Sequence, residues 1–386
     1  MIAKQNTLSL YVHWPFCESK CPYCDFNSHV RENIDANRYE TALLSELDFF
    51  AGKTEGKTLS SIFFGGGTPS LMPPRTTAAV INKAKATWDH DADLEITLEA
   101  NPGSSEAKKF REFRKAGVNR LSLGVQSFRD EALKFLGRVH NSGEALGAIE
   151  LARGTFPRFS FDLMYALPGQ TLAQWEEELG QGLDLAEGHV SLYQLTLEKD
   201  TAFYRQHKRG LLHLPPEGIA ADLYTLTNKM CAKAGLPAYE TSNYATPGFE
   251  SRHNLNYWQG GAYAGIGPGA HSRIFSNRSW QAMATHKRPE DWLAAVEEGG
   301  NAVREAVPVS RPERGEEVIM TALRLSGGLS KTAFKGISGK PLNDFINPGA
   351  LEFLIAEKLL VETQSHLAAT PKGALLLDSI LGELLG

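Results

Sequence analysis

Six short apolar runs alternate with amphipathic stretches as far as residue 197, and this alternation constrains the fold more than any other feature of the chain. The runs are Leu8 to Trp14, Ser61 to Phe64, Leu94 to Ala100, Arg120 to Val125, Phe159 to Leu167 and His189 to Leu197. Between them, Tyr39 to Phe50, Thr76 to Trp88, Glu106 to Ala116, Gly143 to Arg153 and Leu172 to Leu185 repeat apolar residues at helical spacing. Strands that alternate with helices pair in parallel through right-handed crossovers, so an α/β fold is expected. Periodicity alone leaves open whether the sheet curls into a barrel or stays flat.

Parallel α/β folds build their sites at the C-terminal strand edge, and here each run ends in polar chemistry. After the first run come Cys17, Cys21 and Cys24 in a C-x3-C-x2-C loop. Gly65-Gly66-Gly67-Thr68-Pro69 follows the second, where glycines are expected to let backbone amides approach a ligand. Glu99 ends the third, Gln126 the fourth with Arg138 and His140 beyond it, and Asp162 interrupts the fifth. Any one of these has an ordinary explanation as a cap, a turn or a surface charge. Together they form a ring of donors and acceptors beside three cysteines, suited to a zwitterionic, hydroxylated ligand such as S-adenosylmethionine.

Three thiolates hold three irons of a four-iron cluster and leave the fourth iron open, whereas structural zinc takes four protein ligands. The zinc alternative stays open at this point, with His13 or His29 as the fourth ligand. Disulfides are disfavoured by four cysteines in 386 residues and by the lack of a charged-then-apolar leader. With 42% hydrophobic residues, net charge -5 and no apolar run of membrane-spanning length, an ordinary globular protein with a substantial core is expected. Nucleic acid is a poor partner for that charge.

The strings HWPFCESKCPYCDF, GGGTPS, EANPG, LSLGVQSF, DLMYALPGQT, YETSNYA and SRHNLNYW occur in order between Leu8 and Ser272. In these the chain resembles radical SAM proteins of the oxygen-independent coproporphyrinogen oxidase superfamily, and most closely the HemW heme chaperone branch. The resemblance implies a partial (β/α)6 barrel with a [4Fe-4S] cluster on Cys17, Cys21 and Cys24. It implies S-adenosylmethionine chelating the open iron, with a 5′-deoxyadenosyl radical as the chemistry that the pair supplies. By motif, Tyr11 and Tyr23 would lie against the cofactor, Gly66, Gly67 and Thr68 along its methionine end, and Glu99, Gln126, Arg138 and Asp162 around the rest.

Coproporphyrinogen dehydrogenases carry a further cysteine two residues after the third and a long N-terminal extension. This chain has Phe26 at that position, and its first cluster cysteine is already residue 17. The heme chaperone reading is therefore preferred, with porphyrinogen dehydrogenation as the alternative. His253 in His253-Asn254-Leu255-Asn256-Tyr257-Trp258 is expected to ligate heme iron, and His271 ranks behind it. Cys231 is expected to be a buried structural thiol.

From residue 285 the pattern turns mainly helical, at Pro289 to Glu298, Arg311 to Leu325 and Pro348 to Lys358. Leu359 to Leu367 reads as a strand pair and Ala374 to Leu385 as a helix, in a winged-helix-like arrangement. From Arg311 onward nine acidic residues oppose eight basic ones, so a structural or protein-docking unit is expected rather than a DNA reader. The expected organisation is a core barrel over 1–240, a heme-motif segment closing it over 241–284, and a C-terminal domain over 285–386. Expected partners are heme, recipient apo-hemoproteins, an electron donor and a second copy in a homodimer. The expected location is the cytoplasm, peripheral to the inner membrane.

Overall fold

A computed structural model describes residues 6–386, so the first five residues of the expected barrel segment lie outside it. All six expected strands form, as Thr7–Trp14, Thr58–Gly66, Asp89–Ala100, Arg120–Gln126, Arg158–Tyr165 and His189–Gln194. They are neighbours in sequence order and pair in parallel throughout. The helices between them include Ala36–Lys53, Pro74–Thr87, Ser142–Thr155 and Leu172–Leu185. Capping boxes start two of these, Asn141 with Glu144 and Thr171 with Gln174, where side chains satisfy the orphan amides of the first turn.

The stretch expected as one helix from Glu106 is broken into Ser104–Ala107 and Phe110–Ala116. The Glu106 carboxylate turns back to accept from the Asn101 amide at 2.9 Å and from the Ser70 hydroxyl, which ties the first piece to the strand edge.

Strand alternation separates two unlike faces. Leu8, Leu10, Val12 and Trp14 are buried on the helix side, while Ser9, Tyr11 and His13 point to the inner face. Ser9, Ser61, Thr97, Ser160 and Ser191 are all buried on or beside that inner face, which is therefore polar even where water is excluded. The sheet is eleven strands wide and open at both edges. Asn243–Ala245 runs antiparallel to the sixth strand at one edge. At the other, Ala262–Ile266 adds in parallel to the first strand, followed by His271–Ser276, Ser279–Thr285 and Val303–Val309 in antiparallel order.

Those last four strands were not legible as strands, because glycine and proline dilute the pattern. Gly265 and Gly267 have no room for a Cβ: one would meet the His271 carbonyl and the other the His13 carbonyl, and Gly267 also has φ +99°. Close approach to the first strand demands glycine here, at the expense of β-propensity.

Past residue 285 the chain still contributes Trp292, Leu293, Val296 and Ala302 to the core beside the large sheet. Helix Pro289–Gly299 packs on helix Ala36–Lys53, with Trp292 stacked on Tyr39 at 5.8 Å. Glu46, fully buried, accepts from the Gly267 amide at 2.7 Å, the Ala302 amide at 3.1 Å and Trp292 Nε1 at 3.0 Å. Burial pushes its carboxyl up to about 7 even against those three donors. This clip joins residues 267–302 to the large sheet.

A separate core begins at Val318 and includes Ile319, Phe334, Leu354, Leu367 and Ile380. There the expected strand pair, Leu360–Glu362 and His366–Ala369, gains a third member, Leu329–Ser330, beside helices Lys331–Ser338, Pro348–Ala356 and Leu377–Leu385. The C-terminal region is thus mainly helical with a small wing. Among the described residues no helix is long and apolar enough to cross a membrane.

Candidate functional site

A cavity of about 480 Å³ opens at the C-terminal edge of the parallel strands. Cys17, Cys21, Cys24 and Tyr23 line it from the loop after the first strand, with Gly66, Gly67 and Thr68 from the loop after the second. Glu99, Gln126, Arg138 and Asp162 line it from the following three strands and their loops. Most of the residues singled out from the sequence are therefore brought together. Tyr11 and His253 are not among the lining residues.

The cysteine loop is held by backbone. Phe16–Cys17 pairs in parallel with His29–Val30, and the Gly67 and Thr68 amides donate to the Trp14 and Phe16 carbonyls, each at 2.8 Å. A Cβ on Gly67 would press on the Pro15–Phe16 backbone, and Gly66 has φ +112° against the His13 ring. The glycines thus serve the close approach of the cysteine loop, and the Gly67 and Thr68 amides are already used by it.

Polar side chains link the thiols. Thr68 Oγ1 donates to Cys17 Sγ at 3.4 Å and accepts from Asn101 Nδ2 at 3.2 Å. Arg138 donates through Nη2 to Asn101 Oδ1 and, at 2.9 Å, to the Gly124 carbonyl, and through Nη1 to Cys21 Sγ at 3.4 Å. One hydrogen-bonded chain therefore runs from Cys17 to Cys21, and hydrogen bonds to sulfur are a lever on cluster potential. Arg138 Nε is buried without a partner. Desolvation pushes the Cys17 and Cys24 thiols up, so both are thiols until a metal displaces their protons.

Asn101 is a member of this chain that the sequence reading passed over. Ser122, Met164 and Tyr193, also in the wall, were passed over too. The signal for them was period-2 alternation: Ser122, Gly124 and Gln126 share a face, as do Ser160, Asp162 and Met164. Gln126 has φ +70°, the left-handed backbone that a non-glycine residue adopts at a cost.

Two carboxyls share the cavity. Burial, and next the charge of Asp162, push Glu99 up to about 8 against one hydrogen bond from the Gly66 amide. Burial pushes Asp162 up to about 6, opposed by the Ser191 hydroxyl, Arg120 and Arg138. Near neutral pH the pair holds a proton that an incoming cation would release.

Tyr11 lies below the cavity, with its hydroxyl 3.1 Å from His13 Nδ1 and its ring stacked on Phe63. His253 sits further down the inner face, in helix Arg252–Trp258. Its ring stacks on Phe63 at 4.8 Å, Nδ1 is 3.2 Å from Ser61 Oγ, and its amide donates to Glu95 at 3.2 Å. Glu95 precedes Glu99 by four residues on one strand, about 13 Å at the usual rise. His271 is exposed.

His13 Nε2 lies 2.9 Å from the Asn27 carbonyl, and His29 Nε2 lies 3.2 Å from Asn27 Oδ1. Among the described residues no group of three or more His, Cys, Asp or Glu side chains is arranged to hold a metal ion. Three thiols line one cavity, with donors aimed at two of the sulfurs. Phe26, 60% exposed, stands on the cavity rim.

The Radical SAM superfamily profile matches residues 11–180, and that of the HemN C-terminal domain matches 309–376. The chain is 38% identical to the heme chaperone HemW of Haemophilus influenzae, over 98% of both chains. It is 37% identical to the Escherichia coli heme chaperone HemW, again over 98% of both. The mouse mitochondrial radical S-adenosyl methionine domain-containing protein 1 is 38% identical over 98% of this chain and 87% of its own. Among solved structures, coproporphyrinogen III oxidase (HemN) from Escherichia coli superposes with a TM-score of 0.81 at 23% identity, over 98% of this chain and 90% of that one. That likeness shows a shared fold.

Proposed function

Because this chain belongs to the HemW family of the radical SAM superfamily, we propose that it is a heme chaperone that binds heme and passes it to apo-hemoproteins. The observation that carries this reading is identity with curated heme chaperones along nearly the whole of both chains, C-terminal region included. Phe26 on the cavity rim supports it from the site itself.

In this proposal Cys17, Cys21 and Cys24 hold a [4Fe-4S] cluster, and Tyr23, Gly66, Gly67, Thr68, Glu99, Gln126, Arg138 and Asp162 surround S-adenosylmethionine. When bound, the pair supplies one-electron reductive cleavage of a sulfonium. The chain's own residues orient and tune. Arg138 and Thr68 place donors on two sulfurs, and Glu99 with Asp162 offers negative charge to a cationic ligand. The complete cavity wall also favours a second reading, dehydrogenation of coproporphyrinogen, which Phe26 opposes.

For heme iron the proposal names His253. Desolvation pushes its imidazole down to about 3, which keeps it neutral, the form that binds metals. Ser61 anchors Nδ1, and Nε2 has no hydrogen-bond partner among the described residues. Hemin titration of the full chain is expected to give a Soret band that shifts or weakens in His253→Ala. An identical band in the variant would remove His253 as ligand.

A further inference from the structure

From Thr201 to Pro216 the chain has no acidic residue, while Arg205, His207, Lys208, Arg209 and His213 all fall there. That is unexpected in a chain of net charge -5. The segment forms helix Ala202–Lys208 and the turn that follows it. Arg205, Lys208 and Arg209 are exposed, and their i, i+3, i+4 spacing puts them on one face. Arg205 Nη1 donates to the Asp200 carbonyl at 2.8 Å, and Lys208 Nζ lies 5.6 Å from the Tyr204 ring centre. Among the described residues no carboxylate pairs with these three cations, whereas Arg31, Arg38, Arg252 and Arg273 each have one.

Cations in a last turn suit the helix dipole, yet the dipole does not account for the leucine displayed beside them. Leu211 is 73% exposed, more than any other large apolar side chain among the described residues. Its turn is nonetheless held: the Gly210 and Leu211 amides donate to the His207 and Gln206 carbonyls at 2.9 and 3.0 Å. The same helix is fixed to the cysteine loop. The Phe203 amide donates at 2.9 Å to the carbonyl of Pro22, which lies between Cys21 and Cys24 in sequence. Phe203 is buried, with the Phe135 ring at 4.8 Å and the Tyr23 ring at 6.4 Å. A partner seated on the basic edge is therefore seated beside the cysteines. Unpaired cations around an apolar side chain suit an acidic protein surface. One leucine and two helical turns bury too little apolar area for a bilayer anchor, which favours a protein over a membrane.

We propose that helix Ala202–Lys208 and the turn after it are the docking surface for an acidic electron-carrier protein. The inference rests on the reading that the three cysteines hold a redox cluster, and adds the face from which its electron arrives. One electron leaves the reduced carrier and enters the cluster, and no bond forms or breaks in that step. Arg205, Lys208 and Arg209 steer the encounter, and Leu211 supplies the contact from which water is expelled.

The test uses the full chain and, as probe, flavodoxin, an acidic flavin carrier. Binding is measured by calorimetry on the iron-free chain, so that it does not depend on the cluster. The wild type is expected to bind at about 0.02 M salt and to lose at least about tenfold in affinity at about 0.5 M. The triple variant Arg205→Glu, Lys208→Glu, Arg209→Glu is expected to weaken binding at low salt by at least about tenfold while unfolding at the wild-type temperature. Arg111→Glu, Lys115→Glu, Lys229→Glu reverses three exposed cations elsewhere, and this control is expected to bind as the wild type does. In reconstituted samples, reduced flavodoxin is expected to bleach the visible absorption of the first variant at least about tenfold more slowly than that of the wild type, while dithionite bleaches both alike. The docking surface is overturned if the wild type does not bind flavodoxin, if the first variant binds it and is reduced by it as the wild type is, or if both triple variants weaken binding equally. Binding to phosphatidylserine vesicles that is lost in the first variant, with no binding of flavodoxin, would replace the protein partner by a membrane. If the reconstituted wild type holds no iron while the iron-free chain still binds flavodoxin through these charges, the cluster reading fails and the docking surface stands.

Discussion

Cys21→Ala is expected to remove the visible iron–sulfur absorption of the anaerobically reconstituted protein and to lower bound iron from about four per chain to well below one. A site with three ligands has no spare thiolate, and the nearest other cysteine, Cys231, is buried in helix Glu217–Lys233 with its thiol pushed up to about 12 by desolvation. The substitution also takes from Arg138 Nη1 its sulfur acceptor, in a side chain whose Nε is already unpartnered. Leaving a buried donor unsatisfied costs about 1–3 kcal/mol, too little to unfold a chain of this size. Wild-type far-ultraviolet dichroism in the colourless variant therefore separates lost ligation from lost folding. Cys231→Ala is the control and is expected to keep the full absorption. A Cys21→Ala protein that retained the cluster would sink the ligand assignment.

S-adenosylmethionine is expected to bind more tightly as pH rises from 6 to 8, and Glu99→Gln is expected to flatten that slope. The sign follows from the carboxyl pair. Glu99 is raised to about 8 and Asp162 to about 6, so below those values each holds a proton that a cationic ligand must displace. Binding then improves by up to about tenfold per pH unit while one proton is released. The same shifts act oppositely on the ligand-free fold. Stability is fully present below the ordinary carboxylate range and is lost as pH rises from there through the raised values. Glu99→Gln also removes a charge-assisted contact worth about 2 kcal/mol, roughly thirtyfold in affinity. Calorimetry on the reconstituted protein at three pH values checks both effects. A flat wild-type profile that coincides with that of Glu99→Gln would show that the pair does not meet the cation.

The parallel strands and most of the cavity wall were legible because both follow local rules. Apolar runs of strand length announced the strands, and the polar residue ending each run fell at the edge where such sheets build sites. What was not legible depends on contacts between distant segments. Gly265 and Gly267 read as a flexible connection, yet they are fixed by the His271 and His13 carbonyls. The glycine turn at 65–67 suggested open amides, but the Gly67 and Thr68 amides serve the preceding loop. Asn101 gave no signal of its own, because its role comes from Thr68 and Arg138 closing around it.

Tyr11 and His253 show the same limit from the other side. Motif agreement named them, while alternation along the first strand puts Tyr11 below His13 on the inner face, against Phe63. A motif conveys which residues matter to a family but not the depth at which each one sits. The register with Ser61 and Glu95 supplied that for His253.

In the proposed function, a cavity lined by three cysteines and by residues suited to S-adenosylmethionine belongs to a protein that carries heme. That pairing is tested most directly by incubating the reduced, reconstituted protein with S-adenosylmethionine and coproporphyrinogen III, and by loading the same sample with heme beside an apo-hemoprotein. No turnover of the porphyrinogen is expected, and heme is expected to pass to the apoprotein. Formation of protoporphyrinogen IX at a catalytic rate, with no heme transfer, would contradict the proposed function.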